Sequence, residues 1–219
     1  MILIRQIPAP KALLTNQAKW TARWRGGQPE QWATEAARKL LQLYLPLKSH
    51  GKCVYCESVL GTSARPEIEH YHAKTVEQEL AFEWGNFFLA CGYCNNTKRH
   101  QPHDGALLKP DVDDGETHLW FNPDTGELEP SPGSDSARFE ATRRLCDLNR
   151  HALRRARIKQ FHLAVAILEA IRQRDSLPRK LRSVFLGLLA RAAEYKLAIR
   201  SALPPRLAGI DRRMYHAAD

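Results

Sequence analysis

Apolar residues recur at helical spacing in two parts of the chain. Near the N-terminus they predict an amphipathic helix over residues 29–45, ended by Pro46, with apolar positions Ala33, Ala36, Ala37, Leu40, Leu41 and Tyr44. From Ala137 the chain reads as helical nearly to its end, and one face of the first segment carries Phe161, Ala164, Val165 and Leu168. The pattern breaks at residues 176–178. A second helix is predicted after the break and ends before Pro204 and Pro205; its apolar positions are Leu181, Val184, Phe185, Leu188, Ala192 and Tyr195.

Other segments lack the helical period. Residues 1–27 contain two prolines and a Gly-Gly pair, which indicate an extended lead-in or a short strand. Residues 66–71 predict a short strand, and residues 118–129 predict a β-hairpin inside a loop-rich region. We therefore expect a mostly helical α+β fold in four parts: lead-in and helix (1–47), a central unit (48–105), loop and hairpin (106–136), and a C-terminal helical region (137–219).

Composition and charge narrow the class of partner. The 219 residues are 43% apolar, enough for a packed interior, and Lys plus Arg outnumber Asp plus Glu by 33 to 24. A net charge of +9 favours a polyanionic partner, although many basic proteins bind no nucleic acid. The first predicted C-terminal helical segment is rich in arginines, which form either a solvated face or a phosphate-contacting surface. These arginines are Arg138, Arg143, Arg144, Arg150, Arg154, Arg155 and Arg157.

Targeting signals are not evident in the sequence. The first residues reach Pro8 too soon for the apolar run of a signal peptide. No stretch approaches the 18 or more apolar residues of a membrane span. We therefore expect a cytoplasmic, reducing setting without a membrane partner, where paired cysteines are more often metal ligands than disulfides.

Four of the five cysteines form two Cys-x-x-Cys pairs, Cys53 with Cys56 and Cys91 with Cys94, separated by 34 residues. Two such pairs can supply four thiolates to one tetrahedral zinc ion, and each pair comes from one tight turn. We predict a structural zinc site that fixes both ends of the intervening segment. The fifth cysteine, Cys146, lies among leucines and is expected in the core.

The segment between the cysteine pairs carries the groups that phosphodiester hydrolysis needs. His70 can act as the base, because imidazole titrates near working pH. Glu69 and the Asn95 amide carbonyl offer oxygen ligands that suit Mg²⁺ or Mn²⁺. Asn86 is more plausible as a scaffold that bridges backbone groups of the loop beside His70.

Two features of this candidate site depend on geometry. Lys98 lies about one helical turn after Asn95 and could meet a phosphate oxygen, and Lys74 is a weaker candidate for the same contact. Adjacent residues of a strand point to opposite faces. Glu69 and His70 can therefore serve one site only if the strand ends or bends there.

This arrangement resembles the HNH endonucleases with a ββα-metal fold, specifically their zinc-ribbon subset. The resemblance covers residues 53–98 and rests on the Glu69-His70 pair, Trp84-x-Asn86 and the stretch from Cys91 to Lys98. It implies that His70 is the general base, that Asn86 holds the loop, and that Asn95 binds the catalytic metal together with Glu69. Glu replaces the more usual Asp before the base, and His72-Ala73 also departs from the family pattern.

A longer resemblance is to the small HNH subunit of Septu-type and retron-associated antiphage systems. It rests on residues 68–74, 82–86, 91–95, 107–110 and 148–157, which follow one another in order. It implies a defence role and a partner ATPase of the SMC/ABC-like kind.

Two alternatives to an independently active nuclease stay open. A non-catalytic zinc-ribbon module would bind nucleic acid or a protein partner, but it leaves Glu69-His70, Asn86 and Asn95 unexplained. Alternatively, the C-terminal helices form a docking platform and the nuclease is silent without its partner. The sequence does not distinguish a DNA from an RNA substrate.

Overall fold

The fold combines helices with two small antiparallel sheets. The computed structural model describes residues 4, 7–27, 35–61, 64–99, 103, 105–172, 180, 183–184, 187–188 and 193–202. Its helices are α1 (Lys11–Arg25), α2 (Glu35–Ser49), α3 (Gly92–Lys98), α4 (Gly115–His118), α5 (Ser136–Leu145), α6 (His151–Arg172) and α7 (Lys196–Ala202). Its strands are β1 (Pro66–His70), β2 (Phe87–Cys91), β3 (Leu119–Phe121) and β4 (Leu128–Pro130). The mixed, helix-rich class expected from the sequence is confirmed.

The first sheet and α3 form the unit that positions the candidate site. β1 pairs antiparallel with β2, with His70 opposite Phe87 and Pro66 opposite Cys91. Every residue of β2 is buried, so a continuous apolar run makes the inner strand of the pair. β2 runs directly into α3, whose first residue is Gly92. The Val54 N–H donates to the Leu89 carbonyl at 3.0 Å and so ties the first cysteine turn to β2.

The core has two clusters, one on each side of this unit. The larger contains the four paired cysteines and Cys146, together with apolar side chains of the second sheet and the C-terminal helices, including Phe121, Phe139, Phe161 and Ile199. The smaller packs α1 and α2 against the first sheet through Leu13, Trp20, Leu41, Phe82 and Phe87. The burial of Cys146 confirms its predicted core position.

The N-terminal predictions need two corrections. The expected extended lead-in is wrong over Lys11–Arg25, which form α1. The two prolines precede this helix rather than interrupt it, and Pro10 occupies its N-cap. The second helix does not end at Pro46 but continues to Ser49. Proline removes only the hydrogen bond to the Gln42 carbonyl, and residue 42 is exposed, so water can satisfy that carbonyl.

Further along the chain the outcome is mixed. The predicted hairpin is confirmed, with Leu119 opposite Pro130 and Phe121 opposite Leu128. The first C-terminal segment is two helices rather than one, because α5 ends before a turn in which Asp147 has φ 45°. Tyr195 lies in a turn before α7, not in the second predicted helix. The predicted break at 176–178, most of that second helix and the stop at 204–205 lie outside the described residues.

Candidate functional site beside a four-cysteine cluster

The two cysteine pairs meet as predicted. The four sulfur atoms are buried and lie within 4.8 Å of one another, and Cys56 Sγ is 3.8 Å from Cys91 Sγ. Four sulfurs at about 2.3 Å from a tetrahedral zinc would be separated by about 3.8 Å, so this donor set fits the ion. The Cys94 N–H also donates to Cys91 Sγ at 3.4 Å, which caps the start of α3. The cluster could hold a zinc ion.

A buried network connects this cluster to β1. Tyr55, which lies between the first two cysteines, donates its hydroxyl hydrogen to Glu69 Oε1 at 3.0 Å. Lys98 Nζ lies 2.8 Å from the same oxygen and also donates to the His70 carbonyl at 3.0 Å. Burial raises the pKa of Glu69, and Lys98 and Tyr55 oppose that shift. The network therefore joins the first cysteine turn, the last turn of α3 and the end of β1.

The position of Lys98 corrects its predicted role. Its exposure is 0%, and its ammonium group is already used by Glu69 and the His70 carbonyl. A phosphate group on the surface cannot reach it in this arrangement. The spacing from Asn95 to Lys98 is helical as expected, but the side chain turns into the interior rather than toward the site.

β1 ends at His70, where a cleft of about 150 Å³ opens. The cleft is lined by Ile68, Glu69, His70, Ala73, Lys74, Asn95, Asn96 and Arg99. Glu69 and His70 thus line one cleft although adjacent strand residues face opposite ways, because the strand stops there. Lys74, the weaker of the two predicted phosphate contacts, also lies here, and burial lowers its pKa to about 8 against the opposing influence of Glu69.

His70 is held from behind. Its Nε2 lies 3.0 Å from the Ala81 carbonyl, and its ring packs 4.9 Å from the Phe87 ring. A carbonyl oxygen only accepts hydrogen bonds, so Nε2 carries the hydrogen and the neutral ring has its lone pair on Nδ1. The residue as a whole is 8% exposed. This contact fixes the tautomer that a proton-accepting His70 needs.

Asn86 braces the loop that follows His70. Its Oδ1 accepts from the His72 N–H at 2.7 Å, and its Nδ2 donates to the carbonyls of His72 and Leu80, both at 2.9 Å. Asn86 is buried, and its own carbonyl accepts from the Tyr71 N–H at 3.0 Å. These contacts agree with a scaffold position; a catalytic contribution of Asn86 stays a prediction.

Asn95 lines the cleft and has a partner that the sequence did not suggest. Its Nδ2 donates to Glu67 Oε2 at 2.8 Å. Glu67 precedes Glu69 by two residues on β1, so the period of a strand places both on the same face. The two-residue period of a strand could therefore have indicated from the sequence that Glu67 lies near the site. Tyr55 and Arg99 were also missed, and only the position of Tyr55 between two cysteines could have indicated it.

An open surface continues from the cleft along α3. It is lined by Tyr93, Asn96, Thr97 and Arg99, so Arg99 borders both the cleft and this surface. Tyr93 is half-exposed; Arg150 stacks on its ring at 4.2 Å, and its hydroxyl donates to Asp147 Oδ2 at 2.7 Å. An aromatic face with neighbouring guanidinium groups is suited to contacts with nucleic acid.

Within the described part of the chain, no helix is long and apolar enough to cross a membrane.

Comparisons with known proteins bear on the role of this site. No protein-family model matches the chain. Among curated proteins it is similar to Septu protein PtuB of Bacillus thuringiensis, 29% identical over 125 residues that cover 56% of this chain and 47% of the relative. It is also similar to Septu protein PtuB of Bacillus mycoides (strain KBAB4), 29% identical over 161 residues, covering 59% of this chain and 52% of the relative. The chain spans about half the length of the curated relatives it matches, and this distant homology relates it to Septu-type defence systems.

Proposed function

We propose that this protein is a metal-dependent HNH endonuclease that hydrolyses phosphodiester bonds of nucleic acid, with His70 as the general base. The observation that carries the proposal is the end of β1. There Glu69, His70 and Asn95 line one cleft, and the Ala81 carbonyl fixes the tautomer of His70. The succession of β1, β2 and α3 supports a ββα-metal unit.

Each group in the cleft has a proposed part in the reaction. His70 Nδ1 accepts a proton from the attacking water, and Asn86 keeps the following loop in place so that the ring stays aimed at the cleft. Oxygen ligands of Asn95 and Glu69 suit a hard cation, Mg²⁺ or Mn²⁺, which would neutralise charge on the scissile phosphate. One oxygen of Glu69 is occupied by Tyr55 and Lys98, so Oε2 is the proposed ligand atom.

The basic groups at the cleft bind the phosphate in this proposal. Lys74 lies at the cleft itself, and Arg99 stands where the cleft meets the surface of α3. A zinc ion held by the four cysteines would have a structural role, because four sulfur ligands would leave no position for water or substrate.

The biological setting follows from the relatives. Their membership in Septu systems supports a role as the effector of antiphage defence that acts with a partner protein, which we propose is an SMC/ABC-like ATPase. If the nuclease is silent alone, cleavage will appear only when that partner is added. Equal cleavage with and without the partner would remove the need for activation.

The test is a cleavage panel of plasmid, single-stranded DNA and transfer RNA, each with Mg²⁺ or Mn²⁺ and with the partner present or absent. His70→Ala is expected to lower cleavage by about 10²–10⁴-fold while zinc content and the circular dichroism spectrum of the folded protein match the wild type. His151→Ala, an exposed histidine at the start of α6, is the matched control and should cleave like the wild type.

Two outcomes would count against the proposal. Cleavage by His70→Ala at the wild-type rate, with contaminating nucleases excluded, would show that His70 is not the base. Protein that binds nucleic acid with a steep salt dependence, yet cuts no substrate under any of these conditions, would favour a non-catalytic zinc-ribbon module.

A further inference from the structure

One residue outside the predicted site, Glu67, bonds to the Asn95 amide, and a second, Gly92, borders the Glu67 carboxylate. Glu67 Oε2 accepts a hydrogen bond from Asn95 Nδ2 at 2.8 Å, while Glu67 Oε1 lies against Gly92 at the start of α3. A Cβ atom added at residue 92 would lie 2.9 Å from that oxygen. Glycine at this position therefore leaves the space in which the Glu67 carboxylate sits.

This contact determines which end of the Asn95 amide faces the cleft. An ionised carboxylate only accepts hydrogen bonds, so Asn95 must turn its NH₂ group toward Glu67. The carbonyl oxygen Oδ1, on the other branch of the planar amide, is then turned away from Glu67. Asn95 lines the cleft with Glu69 and His70, whereas Glu67 is not part of that lining. A hard cation needs an oxygen here, and an inverted amide would present hydrogens to it.

We propose that Glu67 is a positioning residue, which orients the Asn95 amide so that its oxygen faces the cleft, and that Gly92 keeps the place of the Glu67 carboxylate open. This inference rests on the proposed function, since it assigns the supporting partner of a proposed metal ligand. Groups that orient a ligand in this way contribute about 10–100-fold to metal affinity.

The experiment measures the Mn²⁺ affinity of the zinc-loaded protein of 219 residues, with free Mn²⁺ followed by electron paramagnetic resonance. Asn95→Ala defines the binding that does not involve this site. Glu67→Ala is expected to weaken Mn²⁺ binding about 10–100-fold. Glu67→Gln keeps an acceptor oxygen but no longer enforces the orientation, so its loss should be smaller. Zinc content and melting temperature should match the wild type.

Two controls separate orientation from charge. Glu67→Ala and Glu67→Gln remove the same charge, so a difference between them reports on the hydrogen bond. Gly92→Ala keeps the charge but displaces the carboxylate, and it should also weaken Mn²⁺ binding. Glu140→Ala removes a carboxylate that is ion-paired with Arg143 on α5 and should leave the affinity unchanged.

Several results would overturn the inference. Wild-type affinity in Glu67→Ala would remove any role of Glu67, and equal losses in Glu67→Ala and Glu67→Gln would reduce that role to charge. Mn²⁺ binding that is the same in wild type and Asn95→Ala would show that Asn95 is not a metal ligand. Failure of the proposed function looks different: His70→Ala would then cleave normally, while the order of Mn²⁺ affinities among the Glu67 variants is kept.

Discussion

Lys98 and Lys74 lie near the same strand end but in opposite surroundings. Lys98 is fully buried between Glu69 and the His70 carbonyl, on the side of the cysteine cluster. Lys74 is half-buried at the cleft, where its Nζ lies 5.8 Å from the Trp24 ring centre and its pKa is lowered by burial to about 8. Helical spacing from a candidate ligand therefore does not show whether a lysine side chain is exposed at the cleft or buried in the interior.

The same division runs through the whole unit. On one side of β1, Tyr55 and Lys98 are buried beside the sulfur atoms, and both bond to the Glu69 carboxylate. On the other, His70, Lys74 and Asn95 line a polar cleft. The first side holds the shape, and the second is where we place the chemistry. Substitutions on the two sides should therefore separate stability from activity.

The largest effect should come from the cysteine cluster. Cys91→Ser is expected to lose zinc and cooperative unfolding, because metal binding in such sites contributes several kcal/mol of folding free energy. Cys146→Ser, at the buried cysteine outside the cluster, should keep its zinc. Zinc content by mass spectrometry and thermal unfolding by circular dichroism test this pair. A Cys91→Ser protein that melts like the wild type would show that the fold around the four cysteines does not depend on a metal ion.

The two lysines give the next largest contrast. Lys98→Met leaves the buried Glu69 carboxylate without its cation and should lower the free energy of unfolding by about 3–5 kcal/mol. Lys74→Met should change it by less than about 1 kcal/mol while weakening substrate binding. Urea denaturation compares the two variants. Equal destabilisation would erase the distinction between the two sides of β1.

Asn86 is a buried residue that supports the loop beside His70. Asn86→Ala removes three side-chain hydrogen bonds and leaves buried backbone groups unpaired, which costs about 1–3 kcal/mol. Cleavage should fall as well, because the loop beside His70 is no longer braced. Asn122→Ala in the β3–β4 turn loses comparable hydrogen bonds outside the cleft lining, so it should reduce stability but not activity.

The smallest effect concerns a third lysine. Lys48 is 2% exposed, its Nζ donates to the Phe87 carbonyl, and burial lowers its pKa to about 8 from 10.5. Between these values the unfolded chain binds more protons than the folded protein, so the free energy of unfolding rises with pH. From pH 8 to 9.5 the wild type should gain about 1.5 kcal/mol relative to Lys48→Met. Denaturation of both proteins at each pH measures this difference in the free energy of unfolding. A difference that does not change with pH would contradict the prediction.

The sequence predicted the parts of the fold that local pattern determines. The convergence of the four cysteines followed from spacing, and the β3–β4 hairpin followed from alternation around a turn. The helix α1 was missed because prolines before a helix and prolines within a loop look alike in sequence. Which way Lys98 turns depends on a glutamate 29 residues earlier in the chain, information that no local pattern contains.

The sequence singled out four residues that line the cleft, Glu69, His70, Lys74 and Asn95, but not the contacts that hold them in place. Periodicity in β1 places Glu67 beside Glu69, yet only the packing of α3 on β1 brings Glu67 to Asn95. Likewise the hydrogen bond of His70 to Ala81 joins positions with no shared motif. Contacts between side chains and backbone from distant segments arise from tertiary packing, so they appear only in the structure.

Cys94 and Asn95 are neighbours in α3, one directed to the sulfur cluster and the other to the cleft. A single peptide bond therefore separates the anchor from the proposed ligand. An engineer who transplants this cleft into another scaffold would have to carry residues 53–98 as one block, because cysteines and cleft cannot be exchanged independently. Oxidation of the buried thiols would disturb the cleft through the same short stretch of α3.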